Sequence, residues 1–269
     1  MRHLPGSTLE FTRAQISNGF GPADWFPGDH PKMPPIVQYG KQPSVRACSL
    51  CHYPNGKGRA ENAGVSGLSV SYFIQQMQDF RNGTRTSAEP RKANAKFMAD
   101  FAKNMTDEEI KQAAEYFGAI KWTPWMKVIE STMAPKTHVN NGLYLKLEEG
   151  GKEPLGMRIL EVPVDAEATE ILRNPRSGFE VYVPVGSVKK GEALAKSKQC
   201  ALCHGDGLKG IGPVPHLAGR SPSYMVRQMY DMQMGTRKGL WTDLMKPVVA
   251  DMSSEDLVNI GAYIASLEP

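Results

Sequence analysis

The chain has 269 residues, 41% of them hydrophobic and 22% charged, with a formal net charge of +4. That length suits two domains of ordinary size, and no apolar run is long enough to cross a bilayer. The basic residues form no cluster with interleaved aromatics, so nucleic acid is not an expected partner.

The first stretch, "MRHLPGSTLEF", lacks the apolar region of a secretion signal. "GFGPADWFPGDHPKMPP" (19–35) is rich in proline and glycine and should run extended across the surface, anchored by Trp25 and Phe26. A short helix is expected near Pro35 to Tyr39, because Gly40 and Pro43 stop a longer one before Cys48.

Cys48, Cys51 and His52 then form a Cys-x-x-Cys-His motif, and Cys200, Cys203 and His204 form a second. These motifs use all four cysteines of the chain. A Cys-x-x-Cys pair serves a redox dithiol, half a zinc site, a disulfide or haem attachment. The first three leave the repeated histidine without a role. Attachment of haem c uses all three positions: two thioethers to the porphyrin and an adjacent imidazole for the iron.

The motifs lie in a duplicated unit of roughly 80 residues. A shift of 152 carries Cys48 onto Cys200, Gly67 onto Gly219, Gln76-Met77 onto Gln228-Met229 and Gly83-Thr84-Arg85 onto Gly235-Thr236-Arg237. Beyond Arg85 the shift falls to 147, laying Met98 over Met245 and Met105 over Met252. "SYFIQQMQDF" and "SYMVRQMYDM" carry apolar residues at helical spacing, and a last helix follows in each copy. Thr106 with Glu109 reads as a capping box, and Ser253 with Asp256 as a weaker one.

Between the copies, Leu143, Leu145 and Leu147 alternate with Tyr144, Lys146 and Glu148, and Gly150-Gly151 offers a turn. "MRILEV" and the alternating Phe179, Val181, Val183 and Val185 complete two or three expected short strands. They are read as fixing the two halves rather than as a partner-docking surface. In copy two "VKKGEALAKSKQC" supplies the helix that copy one lacks before its motif.

Motif, helix, methionine and capped final helix together resemble class I cytochrome c domains, and the tandem pair resembles the dihaem cytochrome c4 family. The likeness covers about Cys48 to Ile120 and Gly186 to Pro269. It implies a mainly α chain of two tandem class I cytochrome c domains, 1–121 and 186–269, joined by a 122–185 insertion with short β-strands. It implies two covalently attached haem c groups on Cys48, Cys51, Cys200 and Cys203, with His52 and His204 as proximal iron ligands. The sixth ligand in that family is a methionine. Met105 and Met252 precede helix caps and find partners in Ile110 and Leu257 as hydrophobic staples. Met98 and Met245, in loop-like sequence, are therefore assigned to iron, and Met77 and Met229 to core packing. "GPVPHLAG" resembles the family's run in which a proline carbonyl holds the proximal imidazole, which places that role on Pro215; copy one has Ala63 there. Arg85 and Arg237 are either propionate partners or solvated arginines after a helix end.

The implied function is a periplasmic dihaem cytochrome, its signal peptide taken as removed, that transfers single electrons between a redox protein donor and acceptor. A dihaem thiosulfate dehydrogenase or peroxidase is the enzymatic alternative, and the electron-accepting subunit of a larger dehydrogenase or oxidase is another. The lack of a fifth cysteine counts against the thiosulfate enzyme. Without the preceding helix and the proline, haem 1 is expected to be the more exposed and the lower in potential, unless the N-terminal arm covers it.

Overall fold

A computed structural model describes residues 1–269, with 40% of them helical and 14% in strands. The chain forms two compact units, Met1–Trp122 with Glu167–Ser177, and Thr123–Ala166 with Gly178–Pro269. Residues 122–185, set apart on sequence as a connector, are divided between them. No helix is long and apolar enough to cross a membrane.

In the first unit, residues 19–34 contain no helix or strand, and short elements precede them. Strands β1 (Arg2–His3) and β2 (Glu10–Phe11) pair antiparallel, and a short helix α1 (Arg13–Ile16) follows. Trp25 and Phe26 are buried, as anchors should be, in a cluster with Leu4, Ile16 and Leu172. Helix α2 (Pro35–Gln38) starts on proline, whose missing N–H costs nothing at a first turn. Helix α3 (Cys48–His52) carries the motif. Helix α4 (Val70–Arg81) is capped by Ser69, which accepts from the Tyr72 N–H.

Helix α5 (Ala93–Asn104) occupies a stretch expected to be a loop, and Met98 lies inside it. Its alanines and lysines are strong helix formers, and local propensity prevails. Helix α6 (Asp107–Gly118) begins with both hydrogen bonds of the Thr106–Glu109 capping box. Met77, Phe80, Met105, Ile110 and Phe117 pack in one buried cluster. Truncating a fully buried phenylalanine such as Phe117 costs about 3–5 kcal/mol.

The second unit opens with seven strands, more than the two or three expected. Strands β3 (Met126–Glu130), β4 (Met133–Pro135), β5 (Thr137–Asn140), β6 (Leu143–Lys146), β7 (Lys152–Pro154), β8 (Leu160–Pro163) and β9 (Phe179–Val183) form three small sheets. The β5–β6 hairpin turns at Asn141-Gly142, both at positive φ (48° and 81°), the requirement of a two-residue type I′ turn. Strand β9 lies between β3, parallel to it, and β8, antiparallel.

The helices of this unit are α7 (Ser187–Ser197), α8 (Cys200–His204), α9 (Pro222–Gln233), α10 (Thr242–Val249) and α11 (Ser254–Ser266). Val181 and Val183 of β9 are buried with Ala262 of α11. Glu161 of β8 takes the N-terminus of α9, accepting from Ser221 Oγ (2.8 Å) and from the Ser223 N–H (2.7 Å). The Ser253–Asp256 capping box has both its bonds. Met245, like Met98, is inside a helix rather than a loop.

The duplication extends to a bond that the sequence does not announce. In the first unit Arg81 Nε donates to the Ala102 carbonyl (2.9 Å) and Nη2 to that of Met105 (2.8 Å). In the second, Gln233, at the equivalent position, donates Nε2 to the carbonyls of Val249 (2.6 Å) and Met252 (2.8 Å). Two different side chains thus satisfy the carbonyls that end the methionine-bearing helices, groups that cost free energy if left unpaired.

Candidate functional site

Each site starts at a short helix that places two thiols and an imidazole on consecutive turns. The imidazoles are oriented alike. His52 Nδ1 lies 2.8 Å from the Ala63 carbonyl oxygen, and His204 Nδ1 lies 2.8 Å from that of Pro215. A carbonyl only accepts, so Nδ1 carries the proton in both rings and Nε2 keeps a lone pair. Burial pushes both histidine pKa values down, which favours the neutral, ligating form.

The loops that deliver these carbonyls depend on one glycine each. Gly58 and Gly210 sit at φ 67° and 83°, and their N–H groups donate to the carbonyls of His52 (2.9 Å) and His204 (2.6 Å). A Cβ would stand 2.8 Å from the Ala63 oxygen in one case and 2.8 Å from the Val214 oxygen in the other. Only glycine fits.

Three of the four thiols are partly or fully withdrawn from water, and Cys203 is exposed. All four are unbridged, burial raises the Cys48 pKa to about 12, and burial also pushes Cys51 and Cys200 up. A redox dithiol needs a stabilised thiolate, the opposite condition. No three His, Cys, Asp or Glu side chains converge to hold a metal ion. A thioether-bound group that brings its own iron matches this donor set: paired thiols and one neutral imidazole per site.

Met98 and Met245 are half-buried against the two cores, whereas Met105 and Met252 are buried at 6% each with their expected partners Ile110 and Leu257. Met77 and Met229 are core residues. Arg85 and Arg237 are buried, not solvated. Arg85 Nη1 donates to Gln76 Oε1 (2.8 Å) and its guanidinium stands 4.5 Å from the Phe80 ring centre; Arg237 Nη1 donates to Gln228 Oε1 (3.0 Å). The repeat register had paired Gln76 with Gln228 and Arg85 with Arg237, but not each glutamine with its arginine.

The two attachment helices differ in how much chain covers them. Leu50, between the copy-one cysteines, is 8% exposed; Leu202, its counterpart, is 76% exposed. Residues 53–56 are buried as well, although no helix precedes the motif.

The sequence matches the cytochrome c family over residues 37–121 and the family of cytochrome c oxidase, cbb3-type, subunit III over residues 186–264. A thiosulfate dehydrogenase electron acceptor from Stutzerimonas stutzeri is 25% identical over 86% of this chain and 83% of its own length. Cytochrome c4 of Pseudomonas aeruginosa is 25% identical over 84% of this chain and 86% of its own. Cytochrome c-554(548) of Halomonas halodenitrificans is 37% identical over 29% of this chain and 99% of its own. The fold is that of reduced recombinant cytochrome c4 from Pseudomonas stutzeri, with a TM-score of 0.52 at 19% identity over 82% of this chain and 93% of that one. With paired thiols, a neutral imidazole and these likenesses together, the chain belongs to the cytochrome c family as a cytochrome c4-like class I member, whose domains hold covalently bound haem c.

Proposed function

We propose that the chain is a periplasmic dihaem cytochrome that passes single electrons between redox proteins. The observation that carries this reading is the duplicated motif with both imidazoles held by a carbonyl 11 residues further on. Cys48 with Cys51 and Cys200 with Cys203 anchor one haem c each, in cytochrome domains spanning 1–121 and 186–269. Haem c bound there supplies a one-electron iron couple. The chain's own groups do the rest. The carbonyls of Ala63 and Pro215 fix the His52 and His204 rings and make Nε2 more basic. Met98 and Met245, packed against the two apolar clusters, would offer thioethers to the haem irons, and those clusters would exclude water there. Arg85 and Arg237, held by Gln76 and Gln228, offer N–H groups to propionates. Ligation by histidine and methionine would leave the iron no open position for a substrate, which favours a carrier over an enzyme. Haem c is attached outside the cytoplasm, which supports a periplasmic location.

The intact holoprotein should show a mass carrying two covalent haems and should titrate in one-electron steps. Zinc, haem extractable by acidic solvent, or turnover of peroxide would overturn the reading. The relative named as a thiosulfate dehydrogenase electron acceptor favours one donor in particular. Under that second reading, thiosulfate with a purified thiosulfate dehydrogenase reduces the protein, and thiosulfate alone does not. Reduction by thiosulfate alone would make the chain itself the enzyme.

A further inference from the structure

Copy one's attachment helix lies under polypeptide, and copy two's does not. Ser49 and Leu50 are buried; Ala201 and Leu202, their counterparts, are exposed. The cover is residues 167–177, a π-helical turn (Glu167–Ile171) and the irregular stretch after it. Tyr53 Oη donates to the Thr169 carbonyl (3.4 Å), and Asn55 Nδ2 donates to that of Pro175 (2.6 Å). Arg59 Nη1 pairs with Glu170 (3.0 Å), and Arg173 Nη2 donates to the Leu50 carbonyl within α3 itself. From the arm, Trp25 Nε1 donates to the Leu172 carbonyl (2.6 Å).

The copy-two counterparts of Tyr53, Asn55 and Arg59 are Gly205, Gly207 and Ile211, none of which has a side-chain donor. Tyr53 also holds a backbone conformation suited to glycine, φ 62° and ψ 159°, where Gly205 has φ 78° and ψ 169°. Such strain persists only where the surroundings over-determine it. Here the ring is 1% exposed, with the Arg173 guanidinium 5.5 Å from its centre. Backbone strain, two donors and a buried arginine in copy one are all directed at the same short segment.

We propose that residues 167–177 are a strap that closes copy one's attachment helix to solvent and to redox proteins, leaving copy two as the port for electron exchange. This rests on the two-haem reading above. Excluding water from the strapped site disfavours the more highly charged ferric form, so the strap holds that site at a higher potential than it would have if open. Arg59 and Arg173 act in the same direction, with Glu61 and Glu170 as partial counter-charges. At the port, an outside one-electron donor loses one electron as one ferric centre becomes ferrous.

Hydroxyl-radical footprinting of the holoprotein reads the cover directly: Leu202 should oxidise readily and Leu50 should be protected. The double variant Tyr53→Gly/Asn55→Gly installs the copy-two residues and removes two strap bonds without stranding a buried charge. It should raise Leu50 oxidation toward that of Leu202 and move one of the two redox steps to lower potential. Reduction by ferrous EDTA should become several-fold faster for that step only. Equal oxidation of Leu50 and Leu202 in the unaltered protein overturns the proposal, and that measurement stands even if the variant does not fold. Exposure of Leu50 with both potentials and the reduction rate unchanged overturns it too. A mass with fewer than two haems instead refutes the dihaem reading.

Discussion

Gly191 of α7 lies against Asn259 of α11 so closely that a Cβ on the glycine would stand 2.0 Å from the asparagine carbonyl oxygen. The two helices cross backbone to backbone at this point. Neither side chain can rotate to relieve an added methyl, because the obstacle is main chain. In an unobstructed helix Gly→Ala stabilises by roughly 0.5–1 kcal/mol. Gly191→Ala should instead lose about 1–3 kcal/mol through overpacking, measured by chemical denaturation of the holoprotein. A stabilised variant would show that the crossing is looser than described.

Two methionines seven residues apart should behave differently. Met245→Ala should abolish the sulfur-to-iron charge-transfer band of one haem and let that iron bind carbon monoxide. Met252→Ala should leave the spectrum intact and lower stability by about 2–5 kcal/mol, the range for buried methionine truncation. The same contrast should hold for Met98 and Met105. The reverse pattern would move ligation to the buried methionines.

Gly210 positions the loop whose Pro215 carbonyl holds His204. Gly210→Ala forces a side chain into the left-handed region, at about 1–2 kcal/mol, and pushes on the carbonyls of Val214 and Pro215. A weakened bond to Nδ1 makes the imidazole less basic and disfavours ferric iron. One redox step should therefore rise in potential while the other stays fixed, as read by visible absorption during titration.

Glu161 should give the second unit a distinct pH response. Burial raises its pKa above 4.5, against the bonds from Ser223 and Ser221 and the nearby Arg227 charge. A carboxyl that holds its proton more tightly when folded adds stability at low pH, and loses it as pH rises from about 4.5 through the folded value. Glu161→Gln cannot ionise. Its stability relative to the unaltered protein should grow as pH is raised across that window, followed by urea denaturation at several pH values. A constant difference would show that the bonds at the N-terminus of α9 outweigh burial.

What was legible in the sequence is short-range. The Cys-x-x-Cys-His motifs and the capping boxes need only neighbours a few residues apart, so covalent spacing suffices to read them, and the duplication follows from repeating those patterns. The short helix α2 was legible for the same reason, since Gly40 and Pro43 limit it locally. The role of Pro215 came from the resemblance of "GPVPHLAG" to a family run and that of Ala63 from the repeat register; in the structure each carbonyl lies 11 residues after its histidine. The helical setting of Met98 is encoded in the alanine-rich sequence of α5, whereas α10, which holds Met245, contains Pro247, a residue that argues against a helix on local grounds.

Tertiary structure alone decided what comes together from far along the chain. The parallel pairing of β3 with β9 joins residues 53 positions apart, as Val128 and Val181 do. The reach of Glu161 to Ser221, and the cover that residues 167–177 lay over α3, span longer separations still. No local pattern encodes such meetings. Their free energy comes from burying particular surfaces together, and whether Leu50 or Leu202 faces water depends on where a distant segment of the same chain finds its bonds.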